Sequence, residues 1–565
     1  MAAGLVIAFL AYYPGLNGAF LFDDAWNIAA NTDIQITDLS ASSLLDAATS
    51  GQAGPLKRPI STLSFAINYY FSGLTPFAYK LTNLAIHLIN GFLVFSFCYL
   101  LLNAYAQRFH LHRNINTVCI TASVVAVIWL LHPVNLSSVL YVVQRMASLA
   151  SLFTLCALIA YVYGRVQLAN NEPGSWTMLL AVLVFMPIAI LCKEIGLLIP
   201  LYLLIIEVTV FRFQVQETSS RNAIRVFFLI FAILPACAVL VYIAANPGFI
   251  GNSYTWREFT LSERLLTEPR VIWSYIQWTL IPGNDSLGLF HDDIAVSKSL
   301  VDPATTLLAL LGITGLLIAA WWLRKLAPLA SFGILFFLGG HSMESSFLGL
   351  ELAHEHRNYL PQLGILLPLI YYLVNFSESS RRRISVYSGI TLFIIFLAGT
   401  LFIRSSTWGN VIAFSHAEVS NHPLSPRANY QMGRVHAGLA GSIRTDDQSE
   451  EHFASAKDYF IKAGKLNQSY TDGLFALLVL YTANGKAVPA SIFDDLVYRL
   501  EHRPFTANSV NQMNNLTKCQ RTGFCDLSNE QMENIFSAAL ENTSLVGRSR
   551  TIAQRTINNY RKHVN

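Results

Sequence analysis

Charge is what this chain lacks: Asp, Glu, Lys and Arg make up 13% of its 565 residues while 53% are hydrophobic, against roughly 25% charged in an average soluble domain. So little charge cannot give a chain of this length a hydrated surface, which excludes an ordinary water-soluble protein. No Walker loop and no Gly-rich dinucleotide turn opens a helix, so nothing points to a nucleotide-driven pump. The net charge of +4 is small, and the basic residues sit in short gaps between apolar runs. That placement is a topology signal and speaks against nucleic acid as a partner. Metal ligation also lacks its signature: His354 and His356 in HEHRN are two apart, without the i, i+4 histidine pair of a helical zinc site. No cofactor is visible. Cysteines are few, and Cys98, Cys119, Cys156, Cys192 and Cys237 lie in or beside apolar runs as small hydrophobes.

Long apolar runs are what the chain has instead. A helix needs about 20 mostly apolar residues to cross the hydrocarbon, and eleven runs qualify as candidates: 3–20, 79–104, 117–132, 145–164, 176–192, 194–213, 225–244, 302–323, 327–342, 361–376 and 384–403. The first lacks the basic start and small-residue cleavage site of a signal peptide and is expected to stay in place as a span. With eleven crossings, the gaps holding Arg108 and Arg113, Arg165, Arg212, Arg221 and Arg225, Arg324 and Lys325, and Arg381, Arg382 and Arg383 fall on one side. By the positive-inside rule that side, with the N-terminus, is the cytoplasm. The expected protein is all-α: a polytopic domain over 1–403 in the plasma (inner) membrane, followed by an extracytoplasmic (periplasmic) helical domain over 404–565.

On the outer side this topology collects a first loop at 21–78, a second at 245–301, the HPVN and CKEIG edges, the HEHRN region and the tail. Asp23 and Asp24 follow the first span directly, and ionisable groups at a membrane boundary are functional candidates. A carboxylate whose pKa is raised by burial and by a like-charged neighbour serves as a general base. The bland alternative is a solvated acidic loop start. Arg58, Arg145, Lys193 and Arg357 concentrate cations on the side that the charge rule leaves poor in them, together with His132, Glu194, Glu355 and His356 and the loop around Tyr254, Trp256, Arg257 and Glu258. An anionic ligand such as a phosphate explains the cations; internal pairs, Arg357 with Glu355 or Glu351 and Lys193 with Glu194, are the alternative.

In the tail, small and aromatic residues recur at helical spacing: Tyr430, Gly433 and Ala437, then Ala456, Tyr459, Phe460 and Ala463. This resembles about two units of tetratricopeptide repeat, or else an unrelated helical domain. Cys519 and Cys525, six apart with Gly523 between them, are expected to form a disulfide in an oxidising compartment.

Taken in order, FLFDDAWNIAANTDI, KRPISTLSFAINYYFSG, NLAIHLINGF, LHPVNLSSVLYVVQRMASLASLF, CKEIGLLIPLYLLIIE and HEHRNYLPQLG, followed by helical repeats, resemble the transmembrane and tetratricopeptide-containing glycosyltransferases of the GT-C superfold. That group includes animal O-mannosyltransferases and bacterial relatives, and the HEHRNYLP and VLYVVQRM stretches look more like the bacterial branch, where some relatives glycosylate pilins. The resemblance implies transfer of one sugar from a polyprenyl-phosphate carrier to a hydroxyl of a secreted or pilin-like protein, or of a glycan. It places the catalytic acid in the first outer loop, as Asp24 with Asp23 in support. Arg357, helped by Arg58, Arg145 or Lys193, would grip the phosphate. A lipid-linked sugar flippase, or a non-catalytic scaffold binding through its helical tail, are the rival classes.

Overall fold

The computed structural model describes all residues except 112–114, 216, 256, 377–379, 443–445, 506, 546 and 565, so Arg113 and Trp256 lie outside it. Among the described residues every regular element is a helix, as expected for a chain that must satisfy its backbone inside lipid. Seven helices are long and apolar enough to cross a membrane: Pro76–Arg108, Val142–Ala169, Ser175–Cys192, Glu194–Phe211, Thr218–Ala245, Thr305–Leu326 and Arg382–Trp408. An eighth candidate is the pair Ile115–Leu131 and Pro133–Leu140, bent by 52° where Pro133 cannot donate to the helix ladder. The remaining three apolar runs form shorter helices, Ala2–Asn17, Pro328–His341 and Leu363–Phe376. Each of the eleven runs is therefore helical, but seven of them, or eight with the bent pair taken as one span, reach the length of a full crossing by size and composition, fewer than the eleven expected.

The ends of the bundle differ in chemistry. Arg108, Arg212, Arg221 and Arg225 line one cavity, and Arg212 also donates to the carbonyl of Arg324, so loops far apart in sequence bring their arginines to one end. The helix Pro76–Arg108 is 33 residues long, which carries the chain about 50 Å. Its other end lies beside the end of the first helix, where the buried Lys80 ammonium donates to the carbonyl of Gly15 at 3.3 Å.

The tail sits at that second end. Its helices, from Pro426–Ser442 to Gly547–Val564, bury a core of their own that includes Phe460, Leu477, Leu478, Met532, Ile535 and Phe536. Small residues allow the close packing expected of them: a Cβ at Gly433 would lie 2.5 Å from the Phe460 ring, and one at Gly473 would lie 2.5 Å from the Phe460 carbonyl oxygen. The disulfide joins Cys519 to Cys525 across Gly523, whose φ of +69° is the left-handed conformation glycine adopts without cost. The connecting helix Val411–Asn421 locks the tail to the second loop. Its buried Glu418 accepts from the backbone N–H groups of Leu289 and Phe290 at 3.0 and 3.2 Å, and His422 pairs with Asp293 at 3.0 Å.

The helices Pro328–His341 and Leu363–Phe376 cross on two glycines. A Cβ on Gly364 would fall 2.5 Å from the Gly333 carbonyl oxygen, which is backbone and cannot move aside. Small residues at such crossings are how membrane helices approach closely. Gly364→Leu is expected to destabilise the protein by about 1–3 kcal/mol, read as a lower melting midpoint in detergent, while Gly389→Leu, on a helix face where a Cβ meets nothing within 4 Å, leaves the midpoint unchanged.

Candidate active site

The chain immediately after the first helix turns so that its two aspartates face opposite ways. Asp24 is fully buried. One carboxylate oxygen accepts the N–H groups of Leu21 and Val142 at 3.0 and 3.3 Å, and the other accepts that of Val143 at 2.7 Å. Burial raises its pKa, against those three donors and the Lys80 ammonium, which favour the charged form. Its neighbour Asp23 is exposed and lines a cavity of about 380 Å3 between the first loop and the tail. The backbone N–H of Asp23 donates to the Tyr141 hydroxyl at 3.0 Å, which fixes this orientation. Protein hems Asp23 in on most sides of that cavity, and this desolvation raises its pKa, while Tyr141, Arg427 and Arg58 pull the other way.

The cations expected around a ligand separate into two groups. Arg58, Lys193 and Arg357 are the charged groups that depress the pKa of buried His356, after burial itself and along with His354, and hold the ring neutral. Arg58 is paired with Glu194 through two bonds of 3.0 and 2.8 Å, and Lys193 with Glu344 at 2.9 Å. Burial works to raise the Glu344 carboxyl, but Lys193, Arg357 and Arg58 hold it at about 2. Arg357 also faces Glu268, which Arg264 pairs at 2.6 Å, so four cations face three carboxylates in this cluster, leaving a positive charge for an incoming anion. Arg58 is also one of the charges acting on Asp23, so it joins the cluster to the cavity.

Arg145 belongs to the other group. It is fully buried, with Nε on the Asn83 side-chain oxygen at 2.6 Å, Nη1 on the Ser64 carbonyl at 3.0 Å and Nη2 on the Tyr79 carbonyl at 2.9 Å. All three of its nitrogens are engaged in holding helices together, inside the protein and away from the cavity. His132 likewise serves the fold, accepting the N–H of Val134 and donating to the Thr279 carbonyl at 2.9 Å, where it braces the bent helix pair. Glu355 is buried against Arg404 at 2.8 Å. Arg357 pairs with neither Glu355 nor the Glu351 carboxylate; it donates to the backbone carbonyls of Glu351 and Leu352 at 2.7 and 2.8 Å. No contact joins it to Asp24, because Asp24 is turned into the protein. Lys193 takes Glu344 as its partner instead of Glu194.

Arg427 escaped the sequence reading, and Glu351 entered it only as a partner for Arg357. Glu351 accepts from Arg257 at 2.6 Å and from Arg427 at 2.9 Å, tying the second loop and the tail to the HEHRN region. Arg427, whose guanidinium also lies over the Phe22 ring, 5.3 Å from its centroid, lines the cavity beside Asp23. The signal for Arg427 was present: a basic residue soon after the last apolar run, on the side the charge rule leaves poor in cations. No group of His, Cys, Asp and Glu among the described residues is arranged to hold a metal ion.

With this geometry in place, the chain defines a class: a multi-spanning membrane protein with an acidic first loop, a cation cluster and a helical domain over one cavity. Its curated relatives are protein O-mannosyl-transferases of the TMTC family. It is 30% identical over 203 residues to Protein O-mannosyl-transferase Tmtc1 of Drosophila melanogaster, 34% of this chain and 21% of the relative. With TMTC4 of Mus musculus it shares 31% identity over 212 residues, 34% of this chain and 28% of the relative. With F38B6.6 of Caenorhabditis elegans it shares 25% over 494 residues, 80% of this chain and 61% of the relative. The chain therefore matches between about a fifth and three fifths of the length of these proteins. No family model and no solved structure matches it.

The two groups of cations respond differently to removal. Arg145→Ala empties the space of a fully buried side chain and takes the donor from the buried Asn83 side-chain oxygen, at about 2–5 kcal/mol, enough to lower the melting midpoint sharply. Arg58→Ala leaves the Glu194 carboxylate, 16% exposed, without its guanidinium, at about 1–3 kcal/mol, and is expected to lower the midpoint less than Arg145→Ala by the same measurement.

Proposed function

We propose that this chain is an inverting glycosyltransferase that moves one sugar from a polyprenyl-phosphate carrier to a hydroxyl of a protein on the outer side of the membrane. The carrying observation is that Asp23 faces a cavity shared by the first loop and the tail, with Arg58 and Arg427 acting on its carboxylate. The names of the relatives support protein glycosylation and make mannose the first sugar to test. The HEHRN and VVQRM stretches favour a bacterial acceptor such as a pilin.

In this reading the carrier's phosphate joins the cluster of Arg58, Lys193 and Arg357, and its prenyl chain lies among the lipid-facing helices. The acceptor oxygen attacks the anomeric carbon from the face opposite the phosphate, so the configuration inverts. The bond from that carbon to the phosphate oxygen breaks, and the polyprenyl phosphate leaves with the electron pair. Phosphate needs no protonation to leave at neutral pH; fixed cations that stabilise its growing charge provide the catalysis. The hydroxyl proton passes to Asp23. Asp23 takes the role of base in place of Asp24, because both Asp24 oxygens are occupied by backbone N–H groups, and Asp24 becomes the residue that aims Asp23. Neutral His356 offers a hydrogen bond to sugar or phosphate without adding charge.

Asp23→Asn is expected to lower kcat by about 100- to 10,000-fold in an assay that follows intact acceptor mass. Asp24→Asn is expected to act mainly on stability. Transfer at the wild-type rate by Asp23→Asn would reject its role. The pH profile carries the sign: the raised pKa of Asp23 means that the base is protonated below that value, so kcat/KM rises with pH through it and levels off. The ionisation should lie above the ordinary aspartate value of about 3.9 and vanish from the residual activity of Asp23→Asn.

A further inference from the structure

The cavity at Asp23 does not end at the first loop. It runs past Trp26, Phe290 and Tyr470 to the helix Ala507–Arg521, where it meets a second cavity of about 510 Å3 inside the tail. Tyr430, Arg434, Gln512 and Asn515 line both, so the two form one groove from Asp23 into the tail.

The walls of this groove have a pattern. Asn508, Asn511, Gln512 and Asn515 project into it from one helix face, at the i, i+3 and i+4 spacing that aligns side chains. Two of the amides are already oriented, Asn508 by Asp472 at 2.5 Å and Gln512 by the Tyr430 hydroxyl at 3.2 Å. Beyond them the lining turns apolar, with Phe475, Val479, Leu516 and Phe524. Phe524 is 63% exposed and is held at the rim by the loop that the Cys519–Cys525 disulfide closes.

A side-chain amide both donates and accepts, and so does every residue of a polypeptide backbone. A row of amides therefore suits an extended chain and reads it without demanding a particular side chain, while the apolar stretch receives occasional hydrophobic ones. From Asn508 to Cys519 the helix rises about 16 Å, the span of roughly five residues of extended chain.

We infer that this groove binds an extended, unfolded segment of the acceptor polypeptide through its backbone and delivers its serine or threonine hydroxyl to Asp23. The inference rests on the proposed transferase reading for the delivery step, but binding can be measured without transfer. The probe is a fluorescent serine- and threonine-rich peptide of about ten residues, titrated into the full-length chain in detergent and followed by anisotropy. A second peptide of the same sequence carries N-methyl groups on alternate backbone amides. Asn511→Ala/Asn515→Ala replaces two helix-surface residues with the best helix former, and its melting midpoint serves as the folding control.

The double variant, and the methylated peptide on wild type, are each expected to weaken binding about tenfold or more. Equal affinity for the methylated peptide, equal affinity of the folded double variant, or preference for a free glycan or a second copy of the chain would each overturn the groove. Tight peptide binding without any sugar transfer by wild type would reject the transferase reading and leave the groove standing. Transfer at undiminished KM by the double variant would reject the groove and leave the transferase.

Discussion

The carboxylate of Asp24 sets the geometry on which the site depends. By accepting the N–H groups of Leu21, Val142 and Val143, it pins the chain after the first helix to the turn between two other helices. Removing a carboxylate from water costs several kcal/mol unless hydrogen bonds replace hydration, and three backbone donors with Lys80 nearby meet that need. Successive side chains in this turn diverge, so fixing Asp24 inward holds Asp23 outward. Tyr141, one residue before the clamp, secures the same turn through the N–H of Asp23. A buried polar anchor therefore aims an accessible one.

Around that anchor, cations are divided by what their donors hold. Arg145 engages three partners in the fold, while Arg58 and Lys193 are held by carboxylates. Exchanging a carboxylate for a phosphate on a guanidinium fork keeps the charge and the hydrogen bonds. Such pairs hold a cation in place before a ligand arrives and let it change partners when one does. Arg427, shared by Glu351 and the cavity wall, couples the same network to the tail.

Much of the architecture was legible because the hydrophobic effect writes it locally. Each of the eleven apolar runs is a helix, and Cys519 and Cys525 are bonded. The lengths were less legible: Pro328–His341 and Leu363–Phe376 are shorter than a full crossing, since their apolar runs, 327–342 and 361–376, fall short of the about 20 residues a span needs. Asp23, Arg58 and Lys193 were picked from their place at the membrane edge; Asp23 lines the cavity, Arg58 acts on its carboxylate, and Lys193 pairs with Glu344. Which aspartate faces the cavity was not readable, because the clamp on Asp24 comes from residues 118 and 119 positions away. Arg145 looked like a ligand for the same reason: its partners Asn83, Ser64 and Tyr79 are 62 to 81 positions distant. Arg427 and the amide row of the tail become part of the site only through tertiary contact.

Photoaffinity labelling with a prenyl phosphate that carries its reactive group next to the phosphate tests the central claim, that the cation cluster beside Asp23 holds the carrier. The account predicts labelled peptides containing Arg58, Lys193 or His356, with labelling suppressed by excess unlabelled carrier and weakened in Arg58→Ala. Labelling confined to the opposite end of the bundle, around Arg108 and Arg212, would contradict it.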